Sequence, residues 1–265
     1  MTLFNGQKAN CALIGMIHLK ALPGTPNSRC TMQEILDAAL LDGQTLVDGG
    51  CDALLVENMS DLPYLCGKVG PEITAAMAIA VDHVVRTFHK PTGVQVLAGA
   101  NLEAMALATC AGAEFIRAEA FAYAHVADEG LMNASAAEVL RLRKHIDSNV
   151  RVWADVQKKH SAHAITSDVS LGELAKGFEF CGADALIITG VATGSAARPA
   201  DVLAARASSL PIVVGSGITV QNIGEFGKIC DGLIVGTSIK RDGIWQNPVD
   251  LARVRALRDA LDGAF

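Results

Sequence analysis

Aromatic residues are scarce in this sequence, with two Trp, two Tyr and eight Phe among 265 residues. A core built on large rings is therefore excluded, and small aliphatic side chains must fill it. Half the residues are hydrophobic, chiefly Ala, Val, Leu and Ile with Gly between them, which suits repeated strand–helix packing. Concentrated positive charge is missing as well. Asp and Glu outnumber Lys and Arg by 28 to 22, which excludes the basic surface that nucleic-acid binding needs. No apolar run exceeds about eight residues, where a membrane-spanning helix needs ~20. The opening MTLFNGQKAN lacks the apolar core of a signal peptide, so a cytoplasmic protein is expected. The seven cysteines (positions 11, 30, 51, 66, 110, 181 and 230) are odd in number and form no CxxC pair. That argues against a disulfide framework or a zinc knuckle and for buried free thiols. A GxGxxG dinucleotide fingerprint is also absent.

What is present is an internal echo. GGCDALLVEN (49–58), CAGAEFIRAE (110–119), CGADALIITG (181–190) and CDGLIVGTS (230–238) each place small residues, an acidic residue and a short aliphatic run in the same order. This is the signature of a helix C-terminus followed by a strand buried on both faces. Strands are expected at 11–19, 52–59, 91–98, 113–120, 150–157, 183–190, 211–216 and 231–238. Helices are expected between and after them, at 32–50, 71–89, 101–112, 135–146, 170–182, 198–209, 219–230 and 247–261, with Ser135, Ser170, Thr219 and Asn247 as N-caps. Eight strand–helix units in strict alternation, with no linker or low-complexity segment, predict one domain over 1–265. Its fold class is α/β, a single (β/α)8 TIM barrel. An open doubly wound sheet is the alternative. The Ala-rich outer helices suit a homo-oligomer.

Active sites of such barrels lie where the strands end, and the loops after the seventh and eighth strands often hold phosphate. Here PIVVGSGIT (211–219) puts Gly215, Ser216 and Gly217 after strand seven, and LIVGTS (233–238) puts Gly236, Thr237 and Ser238 after strand eight. Glycines let backbone N–H groups approach an anion, and the hydroxyls add donors. Lys240 and Arg241 follow and would neutralise charge. Gly190, with Thr193 and Gly194 in ITGVATGS (188–195), adds a third wall. The alternative is that these are ordinary turn residues.

Polar residues at the other strand ends supply the remaining chemistry: His18, Glu57, Arg117, Glu119, Asp155 and Lys158. Residues two apart on a strand face the same way, which pairs Arg117 with Glu119 and Asp155 with Gln157. Carboxylates inside apolar strands cost free energy unless paired or metal-bound. Glu57, Glu119 or Asp155 would act as general acid or base, with His18 as proton carrier and Arg117 orienting a carboxylate or oxyanion. Structurally, Arg117 would simply pair with Glu119 or Glu57. No cofactor is implied, but these donors together with His160 and His163 leave a divalent metal, and hence a metal-dependent hydrolase, as an alternative. Lys158 or Lys159 is a candidate Schiff-base lysine. His83, His89 and His145 lie on outer helices and read as surface residues. The long connection FAYAHVADEGLMNA (121–134) is either a flap over substrate, with Tyr123, His125, Asp128 and Glu129 facing inward, or an ordered loop without chemistry.

Taken together, IGMIHLKALPGTP (14–26), DALLVENMSDLPY (52–64), KVGPEITAAM (68–77), EFIRAEAFAYAHVADEGL (114–131), ADVQKKHSAHA (154–164), DALIITGVATG (184–194), VGSGIT (214–219) and LIVGTSIKRDG (233–243) resemble the BtpA/SgcQ family. The resemblance covers nearly the whole chain in order. It implies a barrel with a phosphate-type ending. The family's naming member is linked to photosystem I biogenesis at the thylakoid membrane, and SgcQ-type members resemble products of carbohydrate-utilisation operons. Many BtpA-type members carry Arg-Asn-Asp after strand three. This chain has Ala98, Gly99 and Ala100 there, which makes it more similar to the SgcQ-like branch. The expectation is an isomerase, epimerase or aldol lyase acting on a small phosphorylated metabolite such as a sugar phosphate. A non-catalytic assembly or regulatory factor is the alternative.

Overall fold

A strand whose two faces are both buried needs apolar side chains at every position, and the chain supplies eight of them. The computed structural model describes residues 3–4, 11–190 and 196–265. The barrel strands are β1 (Ala12–His18), β2 (Ala53–Glu57), β3 (Thr92–Gln95), β4 (Phe115–Ala118), β7 (Arg151–Asp155), β9 (Ala185–Thr189), β10 (Ile212–Gly215) and β11 (Gly232–Val235). They pair in parallel in the closed order β1-β11-β10-β9-β7-β4-β3-β2. Short strands β5 (His125–Ala127), β6 (Gly130–Met132) and β8 (Ser161–Ala162) form a separate antiparallel sheet from the loops after β4 and β7.

The helices are α1 (Met32–Asp48), α2 (Pro71–Phe88), α3 (Asn101–Ala111), α4 (Ala136–His145), α5 (Leu171–Phe180), α6 (Pro199–Ala205), α7 (Ile223–Gly227) and α8 (Leu251–Asp262). Local chemistry starts several of them. Thr31 with Glu34, and Ser170 with Glu173, form reciprocal capping boxes, and Pro71 opens α2 at a position that needs no N–H. None of the described helices is long and apolar enough to cross a membrane.

The acidic residue of the echo has a structural purpose. Asp52, Asp184 and Asp231 accept hydrogen bonds from the N–H groups of Leu13, Val152 and Ile212, each on a neighbouring strand, at 2.7–2.8 Å. Each also takes an arginine, Arg258 at 3.1 Å, Arg143 at 2.7 Å and Arg206 at 2.9 Å. Glu114, the fourth acidic residue of the echo, pairs instead with Arg151 of the neighbouring strand, at 3.3 Å. The echo thus clips the strand starts together at the bottom of the barrel. The glycines before these residues, Gly50, Gly112 and Gly182, have φ of 92°, 74° and 87°. That left-handed turn ends a helix and would strain any residue with a Cβ.

Alternate residues fill the interior: Ala12, Ile14 and Met16; Ala53 and Leu55; Phe115; Trp153; Ala185 and Ile187; Val213; Ile234. Phe115 and Trp153 stack at 3.7 Å between centroids, and Phe4 packs against both, closing the bottom. The opposite face of each strand packs against the helices. Continuing the inward alternation by two residues reaches His18, Glu57, Arg117, Asp155, Thr189, Gly215 and Gly236. The register that buries the core therefore aims these groups into the barrel mouth.

Several local expectations need correction. The seventh helix is one short turn at Ile223–Gly227 rather than 219–230. Thr219 does not cap it, since its N–H is held by the Asn222 side chain. The cap of α8 is Asp250, which accepts from the N–H groups of Ala252 and Arg253, while Asn247 donates to the Arg241 carbonyl. Ser135 precedes α4 without capping it, because its hydroxyl donates to the Ala120 carbonyl and accepts from Asn101. Of the cysteines, all free, only Cys11, Cys51 and Cys230 are buried, and Cys66 and Cys110 are exposed. His83, His89 and His145 are exposed as expected.

Lys240 is the largest departure. It is 1% exposed and points away from the rim, bonding Asp42 of α1 at 2.6 Å, while the other Asp42 oxygen accepts the Val249 N–H at 2.8 Å. Its charge ties α1 to the end of the barrel rather than facing an anion. Asp42→Ala strands this ammonium in the interior, and urea unfolding should show a loss of about 3–5 kcal/mol.

Candidate functional site

Two cavities adjoin at the carboxyl end of the strands. One, of about 200 Å³, lies beneath the loops after β10 and β11. Its lining includes Ser216, Gly217, Gly236, Thr237 and Ser238, with His18, Glu57, Arg117 and Lys159 opposite. The other, of about 460 Å³, lies over β2, β3 and β4 and is lined by Glu57, Tyr64, Glu119, Glu129, Lys158, Lys159 and Trp245, among others. Glu57, Met59, Lys159 and Thr237 line both.

The floor is set by Arg117 on β4. Its Nε and Nη2 donate to Asp155 Oδ2 and Oδ1 on β7 at 2.9 and 3.0 Å, both side chains being buried. The partner of Arg117 is thus Asp155, not Glu119 or Glu57. Burial opposes the guanidinium charge, but Asp155, with Glu57 and Glu119, outweighs it and holds Arg117 more firmly protonated than usual. Since β4 and β7 are neighbours and Arg117 lies opposite Trp153, Asp155 is one alternation further up, within reach of the long arginine.

Glu57, 3% exposed at the end of β2, has a raised pKa because burial penalises its charge. Lys159 and Arg117 oppose that, and Asp155 reinforces it. His18 Nε2 lies 3.5 Å from Glu57 Oε2. Burial, with Lys240 and Lys159, pushes His18 down to about 3, so its imidazole is neutral at physiological pH. The His18–Glu57 contact is therefore between a neutral ring and a carboxyl that resists ionisation. Glu119, just past β4, is pushed up to about 7 by burial, against the pull of Lys158. Burial thus raises both carboxyls, and Glu119, at about 7, can hold its proton near neutrality, the property required of a general acid.

The adjacent lysines differ. Lys158 is buried, with Nζ 2.5 Å from Glu129, 3.8 Å from Glu119 and 4.0 Å from Asp128. Burial alone would lower its pKa, but Glu119, Glu129 and Asp128 more than compensate and keep it an ammonium. Lys159 is half-buried, and burial together with Arg117 lowers its pKa against the pull of Glu57, Asp155 and Glu119. The sequence signal that separates them is parity: Lys159 continues the inward series Trp153, Asp155, Gln157.

The long connection after β4 is folded into the β5–β6 hairpin, bridged to the β7 loop by β8. Glu129 turns inward to Lys158, and His125 is buried with its ring 5.1 Å from that of His163. Asp128 is mostly exposed, and Tyr123 faces outward to stack on Phe178. His163 Nε2 lies 2.9 Å from the Ser161 hydroxyl, and His160 is exposed. Among the described residues no three His, Cys, Asp or Glu side chains cluster as metal ligands would.

At the rim, Ser216 and Gly217 have successive positive φ values, 75° and 67°, and the Ser238 hydroxyl is buried without a hydrogen-bond partner among the described residues. Gly190 is buried at the end of β9. Thr193 and Gly194 lie outside the described residues. Arg241 is exposed. Trp245, whose ring meets His18 edge-on at 6.4 Å, and Tyr64, whose hydroxyl donates to the Met59 carbonyl, complete the walls, and neither stands out in the sequence.

A closed ring of eight parallel strands with helices between them, and a mouth of confined ionisable groups, defines a (β/α)8 barrel with its candidate site at the carboxyl end. The chain belongs to the BtpA family, whose model matches residues 9–263. A Caenorhabditis elegans protein named as uncharacterized and mitochondrial is 44% identical over 91% of this chain and 90% of its own. The Photosystem I biogenesis protein BtpA of Synechocystis is 32% identical over 98% of this chain and 91% of its own. Among solved structures, a 3-hexulose-6-phosphate synthase superposes with a TM-score of 0.57 at 17% identity, covering 94% of this chain and 99% of that one, a likeness of fold.

The raised pKa of Glu119 means that the folded protein holds this proton more tightly than the unfolded chain does. The resulting stability is complete below the ordinary value of 4.5 and is lost as pH rises through about 7. Glu119→Gln has no such slope. In urea titrations across this range, the stability of wild type relative to the variant should fall by about 3 kcal/mol with rising pH.

Proposed function

We propose that this barrel is an enzyme that moves a proton on a small phosphorylated metabolite, in an isomerase, epimerase or lyase type of reaction. The observation that carries the reading is the shared wall of the two cavities. A phosphate resting against Ser216–Gly217 and Gly236–Ser238, just beyond Gly215, would lie across the smaller cavity from Glu57. The carbon atoms attached to it would extend past Glu57 and Lys159 toward Glu119. Small residues let an anion approach the backbone closely, and the Ser238 hydroxyl, without a hydrogen-bond partner among the described residues, is a donor in search of an acceptor. Arg117, which lines this cavity, supplies the positive charge that Lys240 does not.

In this reading Glu57 and Glu119 exchange protons with the substrate, and neutral His18 adjoins Glu57. Asp155 holds Arg117 in place rather than reacting. Lys158 fixes Glu119 and the hairpin residue Glu129 relative to each other. The name of the 3-hexulose-6-phosphate synthase, a barrel of similar shape, is consistent with a sugar phosphate.

A second reading rests on the name of the Synechocystis relative: a barrel that assists assembly of a membrane complex and catalyses nothing. Stable recovery of the protein with pelleted membranes would favour it.

The test is a thermal-shift screen of phosphorylated sugars beside their dephosphorylated forms, with and without divalent metal. A bound ligand at ~100 times its Kd should stabilise the protein by ~2.7 kcal/mol. The shift should require the phosphate and disappear in Gly217→Asp, whose own melting must first be shown to be cooperative. Glu57→Gln should retain the shift and lose turnover. Stabilisation by no phosphate compound would overturn the reading.

A further inference from the structure

Lys159 is unusual among the charged groups of the mouth. Arg117, Asp155, Glu119, Glu129 and Lys158 are all engaged with one another, and Lys240 is locked to Asp42. Lys159 Nζ enters no hydrogen bond and no ion pair within 4.0 Å among the described residues, although four carboxylates occupy the same mouth. The side chain lies on the wall common to both cavities, beside Glu57. An amine that is partly enclosed, unpaired and faced by a guanidinium loses its proton more readily than an exposed lysine, and here both burial and Arg117 act in that direction. Its neighbour Lys158, held by carboxylates, has no free lone pair to offer.

We infer that Lys159 is a covalent catalytic residue that forms an imine with the carbonyl carbon of a phosphorylated aldose or ketose. This deepens the function proposed above and rests on it. In the step, the Nζ lone pair of the neutral amine forms a C–N bond to the carbonyl carbon, and the carbon–oxygen π pair moves to oxygen. Glu57 in its protonated form gives that oxygen one proton, and a proton leaving nitrogen supplies the second. The oxygen departs as water, leaving a protonated imine and an ionised Glu57. No oxidant or reductant is consumed. The iminium draws electrons from the adjacent carbon, so Glu57, now a carboxylate on the same wall, can take the proton from that carbon. The acid of the first step thus becomes the base of the second, as isomerisation through an enamine requires.

The alternative role for Lys159 is simple electrostatic pairing with the phosphate, and the two roles are separable. Wild type and Lys159→Arg are incubated with dihydroxyacetone phosphate, glyceraldehyde 3-phosphate, and the same compounds without phosphate. Each mixture is treated with sodium borohydride and mapped by peptide mass spectrometry, with thermal shift recorded in parallel. The inference predicts one reduced adduct, localised to Lys159 by fragmentation and absent from Lys159→Arg. It should form at a pH where exposed lysines such as Lys228 remain unmodified. A phosphate-dependent thermal shift without an adduct overturns the imine and leaves the phosphate reading standing. Adduct at Lys159 with equal efficiency from the unphosphorylated compounds supports the imine and removes the phosphate requirement. Labelling scattered over surface lysines, or neither shift nor adduct with any of the four compounds, overturns the inference.

Discussion

The bidentate bond between Arg117 and Asp155 is the interaction on which the mouth depends. Two buried ions would each be costly alone, and together, with two parallel N–H···O contacts, they neutralise one another and fix both strand ends. The bond has a further consequence. With Asp155 occupied, Arg117 has only a distant influence on Glu57 and Glu119, too weak to outweigh their burial. Both carboxyls therefore remain reluctant to ionise. A guanidinium directly paired with either would have produced the opposite, a carboxylate fixed in its charged form. The arrangement spends one acid to keep two others protonatable.

The two ends of the barrel divide the work. At the bottom, Asp52, Asp184 and Asp231 clip neighbouring strands and each accepts an arginine, while Phe4, Phe115 and Trp153 seal the interior. At the top the same inward-facing series ends in groups that titrate. Between them lie layers of aliphatic side chains that keep water from entering below, so the polar groups rest on a dry floor, where electrostatic effects are stronger than in water. The β5–β6 hairpin adds a side wall through Glu129 and Lys158.

Much of this was legible in the sequence because it follows from short-range pattern. Buried strands announce themselves as aliphatic runs, left-handed glycines mark helix ends, and period-two alternation carries a side chain's direction from the core to the mouth. His18, Glu57, Arg117 and Asp155 could be gathered on that basis alone. What was not legible depends on distances through space. Lys240 follows the small-residue loop and looks available, yet Asp42, 198 positions earlier, takes it into the interior. The partner of Arg117 depends on which neighbouring carboxylate its reach matches, which no linear spacing encodes. Parity separates Lys159 from Lys158, but no linear spacing shows that Lys158 meets Glu129 on a hairpin. The short α7 shows the same limit, since the apolar spacing at 219–230 suits a helix but Asn222 binds the Thr219 N–H and the Gly217 carbonyl and delays its start.

Proton transfer in the mouth depends on Glu57 and Glu119 ionising less readily than ordinary glutamates. The most direct measurement is a carbon-13 NMR titration of glutamate side-chain carboxyls, with Glu57 and Glu119 assigned by comparison with their glutamine variants. Glu119 should titrate near 7 and Glu57 above the ordinary glutamate value of 4.5. Titration of both at or below 4.5 would contradict this, since the mouth would then hold permanently ionised carboxylates with no proton to give.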